Sequence, residues 1–241
     1  MTPLAFGGVP YVTDDPGMLD FQHWEVDVAS VPGHNAGGWS GTLPQVELDY
    51  GVLPNLNLHI IMPTAFSAPS HGIFRMGYGD TELGIKYRLI GDSDRFPDVA
   101  FFPLFEVPTG DFNRGLGTGH FSAYLPLWMQ KTMGKWTVFG GGGYWFNPGV
   151  GNQNWGFTGG ALQYQVAKSL AIGTEIFHET AQTKDGESDT VINPGLIWDL
   201  SERSHILLSA GHTIQGHSRF LAYAGVQFTF GPEKEKSGAG K

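Results

Sequence analysis

The sequence predicts an all-β fold: a single antiparallel transmembrane β-barrel of about twelve strands. Three observations carry that expectation. Apolar and polar residues alternate along most of the chain, and helical spacing is scarce. Connections alternate between tight turns and longer glycine-rich loops, the pattern of outer-membrane barrels. Charge is sparse, at 15% of 241 residues, while aromatics reach 13%; an average soluble domain carries about 25% charged residues. No apolar run reaches the roughly 18 residues of a membrane-crossing helix, so strands must do any crossing.

The elements follow in order. Residues 1–20 hold Pro3, Pro10 and Pro16 and read as a leader unable to form a strand of that length. Residues 21–230 read as the barrel, with strands near 21–32, 42–53, 56–66, 79–90, 98–108, 120–131, 135–146, 155–167, 169–180, 190–200, 204–214 and 219–230. These lengths approach the roughly 9–11 residues that a tilted strand needs to cross a bilayer. In "QVELDYG", Val46, Leu48 and Tyr50 oppose Glu47 and Asp49. In "LNLHIIM", Leu56, Leu58 and Ile60 oppose Asn57 and His59. In "TELGIKYRLIG", Leu83, Ile85, Tyr87 and Leu89 oppose Glu82, Lys86 and Arg88. In "SLAIGTEIFHE", Ile172, Thr174 and Ile176 oppose Gly173 and Glu175. Tight turns are expected at Pro54-Asn55, Met133-Gly134, Ala167-Lys168 and Ser201–Arg203, and long loops at 33–41, 67–78, 109–119, 147–154 and 181–189. Trp24, Trp39, Trp136, Tyr144, Phe146, Trp155 and Trp198 stand at strand ends, where interfacial girdles lie. Pro103 cannot donate to a ladder and predicts a bulge in the fifth strand. Residues 231–241 read as a disordered charged tail. A soluble β-sandwich or lipocalin-like barrel would also alternate, but a small dry core could not bury unpaired mid-strand charges.

Charge and composition narrow the partners. The net charge of -9 argues against nucleic acid. Cysteine is absent, which excludes disulfides and thiolate metal sites. The opening "MTPLAFGG" lacks the basic segment and apolar core of a secretory signal and reads as the start of a mature exported chain.

If the apolar faces meet lipid, the alternate residues line the lumen. Centring the first hairpin near Gly37 sets Glu25 opposite Asp49 and Asp27 opposite Glu47, and the fourth hairpin brings Glu82 near Glu106. Opposed like charges are destabilising, so this wall needs water, cations or basic partners. Lys86 and Arg88 lie on the same interior face. Two readings stand: a polarised constriction, or a salt-bridged plug that conducts nothing. In "WTVFGGGGYWFNPG" (136–149), glycines thin both faces at mid-height, Gly141 and Gly143 on one and Gly140 and Gly142 on the other, and Gly159 adds to the band from the next strand. Glycines here either permit barrel coiling or seat an inserted backbone segment. The leader is the candidate segment, with Thr13, Asp14 and Asp15 placed to reach Lys86 or Arg88.

Catalysis draws little support. His178 with Glu179, and His212 with Ser209, form no triad by spacing, so no catalytic residue is assigned. "GLGTGH" (115–120) has no following helix, "KDGESD" (184–189) lacks calcium-loop spacing, and the nine histidines are scattered. No metal or cofactor is expected.

Together, "PYVTDDPG", "GYGDTELGIKYRL", "FEVPTGD", "GTGHFSAYLPLWMQK" and "GYWFNPG" resemble the bacterial outer-membrane β-barrel family described as candidate transporters of the phenol-degradation meta-pathway. The resemblance spans most of the chain in order. It implies an outer-membrane location and passage of small organic molecules. With the barrel reading, the expected role is a passive channel for small hydrophobic or aromatic molecules, with membrane lipid as a partner. A hydrolytic barrel, or a closed barrel acting through its outer loops, are the alternatives. Oligomeric state and solute identity are not specified.

Overall fold

The structure, a computed structural model, describes residues 8–232. Of the expected tail at 231–241, residues 233–241 lie outside the described residues, as do residues 1–7 of the leader. Twelve antiparallel strands close into a barrel. They are β1 (Trp24–Asn35), β2 (Gly38–Leu53), β3 (Leu56–Pro69), β4 in two segments (Arg75–Tyr78 and Thr81–Ile90), β5 in two segments (Asp98–Phe101 and Leu104–Val107) and β6 (Ser122–Met133). The ring continues with β7 (Trp136–Phe146), β8 (Trp155–Ala167), β9 (Leu170–Glu179), β10 (Asp189–Ser201), β11 (Ser204–Gln215) and β12 (Phe220–Phe230). Each strand pairs with its successor, and β12 returns to β1 with Phe230 opposite Trp24, so the ring closes; the short Arg75–Tyr78 segment at the loop end pairs with β3 alone.

Burial is inverted relative to a soluble protein. Ile85, Ile172 and Leu127 are 43%, 47% and 41% exposed on the outer face. Asp27, Glu175, Asn193 and Gln227 are 1%, 0%, 0% and 2% exposed on the inner face. Charged and amide groups are rarely fully buried in water-soluble domains. An apolar exterior around a polar interior is what a strand with period two forms when hydrocarbon is the outer solvent. This excludes the soluble sandwich.

Aromatics band the outside at both ends. Trp24 stacks on Tyr50 at 4.3 Å and Trp136 packs on Tyr164 at 4.5 Å at the end with short turns. Trp39 meets Phe220 at 6.0 Å, and Tyr144 meets Phe146 at 5.4 Å, at the end with long loops. Trp155 departs from the girdle: its ring turns inward and stacks on Trp145 at 5.3 Å.

Register follows alternation and turn placement. Glu25 is opposite Asp49, Asp27 opposite Glu47, and Glu82 opposite Glu106. Three local features differ from expectation. The anticipated loop 33–41 is a tight hairpin, because Asn35 Oδ1 accepts from Gly37 N at 2.8 Å and Gly38 adopts φ +122°. β1 and β2 therefore run on past the expected strand ends. β3 likewise extends to Pro69 and pairs with Arg75–Tyr78, shortening the loop that follows. At Pro103 the strand breaks in two rather than bulging, since the ring has no N–H to offer. Phe102 N donates to Pro126 O at 3.3 Å and Ile85 N to Pro103 O at 3.1 Å, which holds the wall together across the break.

Arginine at Ile85 or Ile172 is expected to cost about 2–4 kcal/mol near the bilayer midplane. Gln45→Arg, on the water-lined face, should cost much less. Equilibrium refolding into lipid vesicles over a urea series measures all three, and equal losses would contradict the assignment of faces.

Candidate functional site

The barrel encloses a cavity of about 2270 Å³. Its lining joins two unlike walls and a strap of chain between them.

The strap is the leader. Trp24 starts at the turn end, where Gln22 N donates to Gly51 O at 2.7 Å and Gly51 N to His23 O at 2.9 Å. From there the chain folds back into the lumen. Lys86 Nζ on β4 donates to Asp14 Oδ1 at 3.1 Å. On the far side of the ring, Val12 N and Thr13 N donate to the two carboxylate oxygens of Glu175 on β9, at 2.8 and 2.7 Å. Asn193 Nδ2 on β10 donates to Glu175 Oε1 at 2.7 Å, and Ser209 Oγ on β11 donates to Pro10 O at 2.6 Å. A proline-rich segment has few N–H groups for a ladder, so side chains of the wall satisfy its backbone instead. Thr13 is 0% exposed and Asp15 3%. Burial pushes the Asp15 carboxyl up from 3.8 to about 6, against the opposing pull of Lys86.

Glycines divide into two roles. A Cβ on Gly159 would collide with Thr13 Oγ1, one on Gly173 would lie 2.6 Å from Tyr11 OH, and one on Gly195 3.0 Å from Tyr11 Cε1. Gly159 seats the leader, while Gly173 and Gly195 make room both for it and for the Leu162 and Leu208 carbonyls of the neighbouring strands, 2.7 and 2.8 Å away. A Cβ on Gly141 or Gly143 would instead run into the neighbouring strand, at the Leu127 and Leu125 carbonyls. Those two serve close strand packing.

The wall of β1–β5 is acidic. Glu25, Asp27, Glu47 and Asp49 share it, and His59 stands among them, with Nδ1 3.1 Å from Asp49 Oδ1 and Nε2 3.2 Å from Glu82 Oε1. Lys86 and Arg88 form no free basic strip. Lys86 is held by Asp14 and lies over the Phe102 ring at 4.5 Å, and Arg88 pairs with Asp98 at 3.0 Å. Glu106 accepts from Ser122 Oγ at 2.6 Å.

The wall of β6–β9 is aromatic. Trp155 stacks on Trp145 (5.3 Å, 10°) and Trp145 on Tyr124 (4.8 Å, 8°). Trp128 meets Phe157 edge-on at 6.0 Å, and Phe157 stacks on Phe177 at 5.4 Å. The buried Tyr124 hydroxyl and Trp128 Nε1 have no hydrogen-bond partner. Arg219, paired with Glu179 at 2.9 Å, covers Phe177 at the loop end.

Glu175, His59 and this ladder escape sequence reasoning. Glu175 stands on the predicted inner face with no acid opposite it, so its role appears only once the leader is placed. Ser209 is engaged by Pro10 and faces inward, whereas His212 lies on the outer face, and His178 bonds Thr190 there at 2.9 Å. Neither histidine shares the inner face with Ser209. At the loop end, Asp80 accepts from Gly110 N at 2.9 Å, Thr118 N at 2.6 Å and Thr118 Oγ1 at 2.7 Å. That gives "GYGDTELG", "PTGD" and "GTGH" one shared purpose: they knot the 109–119 loop onto the break in β4.

Comparison with known proteins agrees with this architecture. A family model described as "Putative MetA-pathway of phenol degradation" matches residues 40–230. The COG4313 outer membrane channel of Pseudomonas putida F1 is similar in structure, with TM-score 0.74 at 14% identity over 90% of this chain and 98% of that one. The KdgM porin in complex with oligogalacturonate has TM-score 0.61 at 11% identity, covering 86% and 99%. The CymD monoaromatic hydrocarbon channel has TM-score 0.51 at 10% identity, covering 91% of each chain. No curated protein matches the sequence.

Glu175→Ala removes charge-assisted hydrogen bonds worth about 1.5–3 kcal/mol each. Amide exchange at Val12 and Thr13 should then speed up at least about tenfold, since roughly 1.4 kcal/mol is a factor of ten; unchanged protection would mean the strap is held by other contacts. Docking should also depend on pH. Asp15 binds its proton more tightly when docked, so docking is firmest below about pH 4 and weakens as pH rises through about 6. Asp15→Asn should flatten that dependence in the same exchange measurement, after correction for intrinsic rates.

Proposed function

The chain belongs to the phenol-degradation MetA-pathway family, and from that premise we propose that it is an outer-membrane channel for passive uptake of small hydrophobic or aromatic molecules. The observation that carries the reading is the stacked column Trp155–Trp145–Tyr124, continued by Trp128 and Phe157 along one side of the lumen and backed by the buried Phe177. Aromatic faces offer an arriving ring offset-stacked or edge-on contacts worth about 0.5–1.5 kcal/mol each beyond area burial. Several weak, similar sites in series suit transfer, because a solute must leave each as readily as it enters. The Tyr124 hydroxyl and Trp128 N–H are unpartnered and lie buried just behind these faces, so a phenolic or carbonyl oxygen gains a hydrogen bond there only when a ring turns toward the lumen. The acidic wall opposite disfavours anions and orients a dipolar solute with its positive end toward β1–β5.

The likeness in fold to the COG4313 outer membrane channel and to CymD, a monoaromatic hydrocarbon channel, supports the same reading. In this orientation the short turns and the leader's entry face the periplasm, and the long loops face outward. Solute enters near Trp155 and Glu179 and meets the strap before release. The strap sets the limiting opening, because it spans the ring from Lys86 to Glu175.

Liposomes containing the refolded chain should take up phenol-sized aromatics faster than protein-free liposomes. Trp145→Ala with Trp155→Ala should lower aromatic flux several-fold while leaving ion conductance near its original value. Deletion of residues 1–18 should raise both conductance and flux. Aromatic uptake no faster than in protein-free vesicles, with or without the deletion, would sink the channel reading.

A further inference from the structure

We infer that Glu47, Asp49 and His59 form a binding site for one divalent transition-metal ion of the zinc class, bridging β2 and β3 on the lumen wall. One ligating atom from each lies within 4.8 Å of the others. His59 Nδ1 stands 3.1 Å from Asp49 Oδ1 and 3.6 Å from Glu47 Oε1. Metal bonds of about 2.0–2.2 Å place tetrahedral ligand atoms roughly 3.3–3.6 Å apart, close to the spacing already present.

The second ring nitrogen adds an independent argument. His59 Nε2 lies 3.2 Å from Glu82 Oε1 on the neighbouring strand. A metal-ligating histidine almost always donates its remaining N–H to a carboxylate, which fixes the tautomer and raises ligand basicity. With the proton on Nε2, the Nδ1 lone pair faces two carboxylates, and that repulsion becomes attraction when either a second proton or a metal cation sits between them.

A third observation is a buried carboxylate with one oxygen bound by Gln227 and the other without a partner. Asp27 is 1% exposed and stands directly across the β1–β2 pair from Glu47. Its Oδ1 has no hydrogen-bond partner. Glu25 stands across from Asp49 on the same face. Against Glu25, Asp27, Glu47, Asp49 and Glu82 stand His59 and Lys86, and Lys86 is already bound to Asp14. A doubly charged ion meets this deficit where it is largest.

The ring is also held in place. It packs edge-on against Phe102 at 5.3 Å and 89°, and Gly84 leaves room beneath it, where a Cβ would lie 3.1 Å from His59 Cβ. One imidazole with two carboxylates suits Zn²⁺, Co²⁺ or Mn²⁺, whereas Ca²⁺ and Mg²⁺ favour all-oxygen shells. All three residues line the cavity, so remaining coordination positions face water. Sequence spacing is blind to such a site, because its ligands come from two strands joined by a turn.

The full chain, refolded and stripped with a chelator, tests this by titration with Co²⁺. Visible bands of nitrogen–oxygen-coordinated Co²⁺ should saturate at one equivalent and be bleached by Zn²⁺. His59→Gln and Asp49→Asn should abolish the bands. Glu82→Gln, which removes only the carboxylate that orients the ring, should weaken Zn²⁺ binding about 10–100-fold. Glu106→Gln, on the same face but outside the cluster, should change neither. Heat-modifiable gel mobility verifies that each variant closes its barrel, and if a His59 variant does not fold, Glu82→Gln decides. Absence of the bands in the original chain would overturn the proposal and leave His59 an imidazolium between carboxylates. Binding that survives His59→Gln, or falls equally in Glu106→Gln, would also overturn it, as diffuse attraction to acidic groups.

Discussion

Closure of the backbone ladder is the constraint on which everything else rests. Hydrocarbon offers no partner to an N–H or C=O, so a sheet can cross it only if every strand has two neighbours. The pairing of β12 with β1 meets that condition. Once the ring is closed, period two leaves each side chain only lipid or lumen, and polar groups collect inside. The Pro103 break shows how strict the demand is: where a strand cannot donate, Phe102 and Ile85 donate across the gap to neighbouring carbonyls.

Closure creates the problem that the interior then solves. A ring of inward carboxylates in a confined space needs compensating donors and cations. On the β9–β11 side the leader backbone supplies them, with two N–H groups on Glu175. On the β4 side Lys86 holds Asp14, so one segment answers to two walls of opposite need. The inner faces of β6–β8 carry no carboxylate, which leaves the aromatic rings there free of that burden. The lumen is therefore two-sided, charged along β1–β5 and aromatic along β6–β9.

Strand number, faces and cross-strand register are legible in the sequence because they depend on local alternation and turn placement. Glu25 with Asp49 and Glu82 with Glu106 need only a hairpin centre. The rest needs geometry that no single hairpin holds. His59 meets Glu82 because β3 pairs with β4, and Trp155 leaves the expected girdle because its neighbour Trp145 points inward. The long loop expected at 33–41 failed for a local reason: a glycine-rich stretch reads alike as a floppy loop or as the left-handed residues of a tight hairpin. Gly141 and Gly143 resemble Gly159 in sequence, yet only Gly159 touches Thr13; the other two are shaped by the adjacent strand.

The seam between β1 and β12 carries a consequence for assembly. Asp27 and Gln227 meet across it, 200 residues apart in the chain. Contacts of that separation carry a large loop-closure entropy and form slowly. Until they form, the first and last strands present bare edges to any other unfinished chain. The docking ledge for the leader is also incomplete, because it draws on β4 and on β9–β11 together. Folding of this barrel is therefore a late zippering event: the amino-terminal strand must wait for the carboxy-terminal one, and a chaperone or membrane surface that shields the two edges during that wait acts on the slowest step.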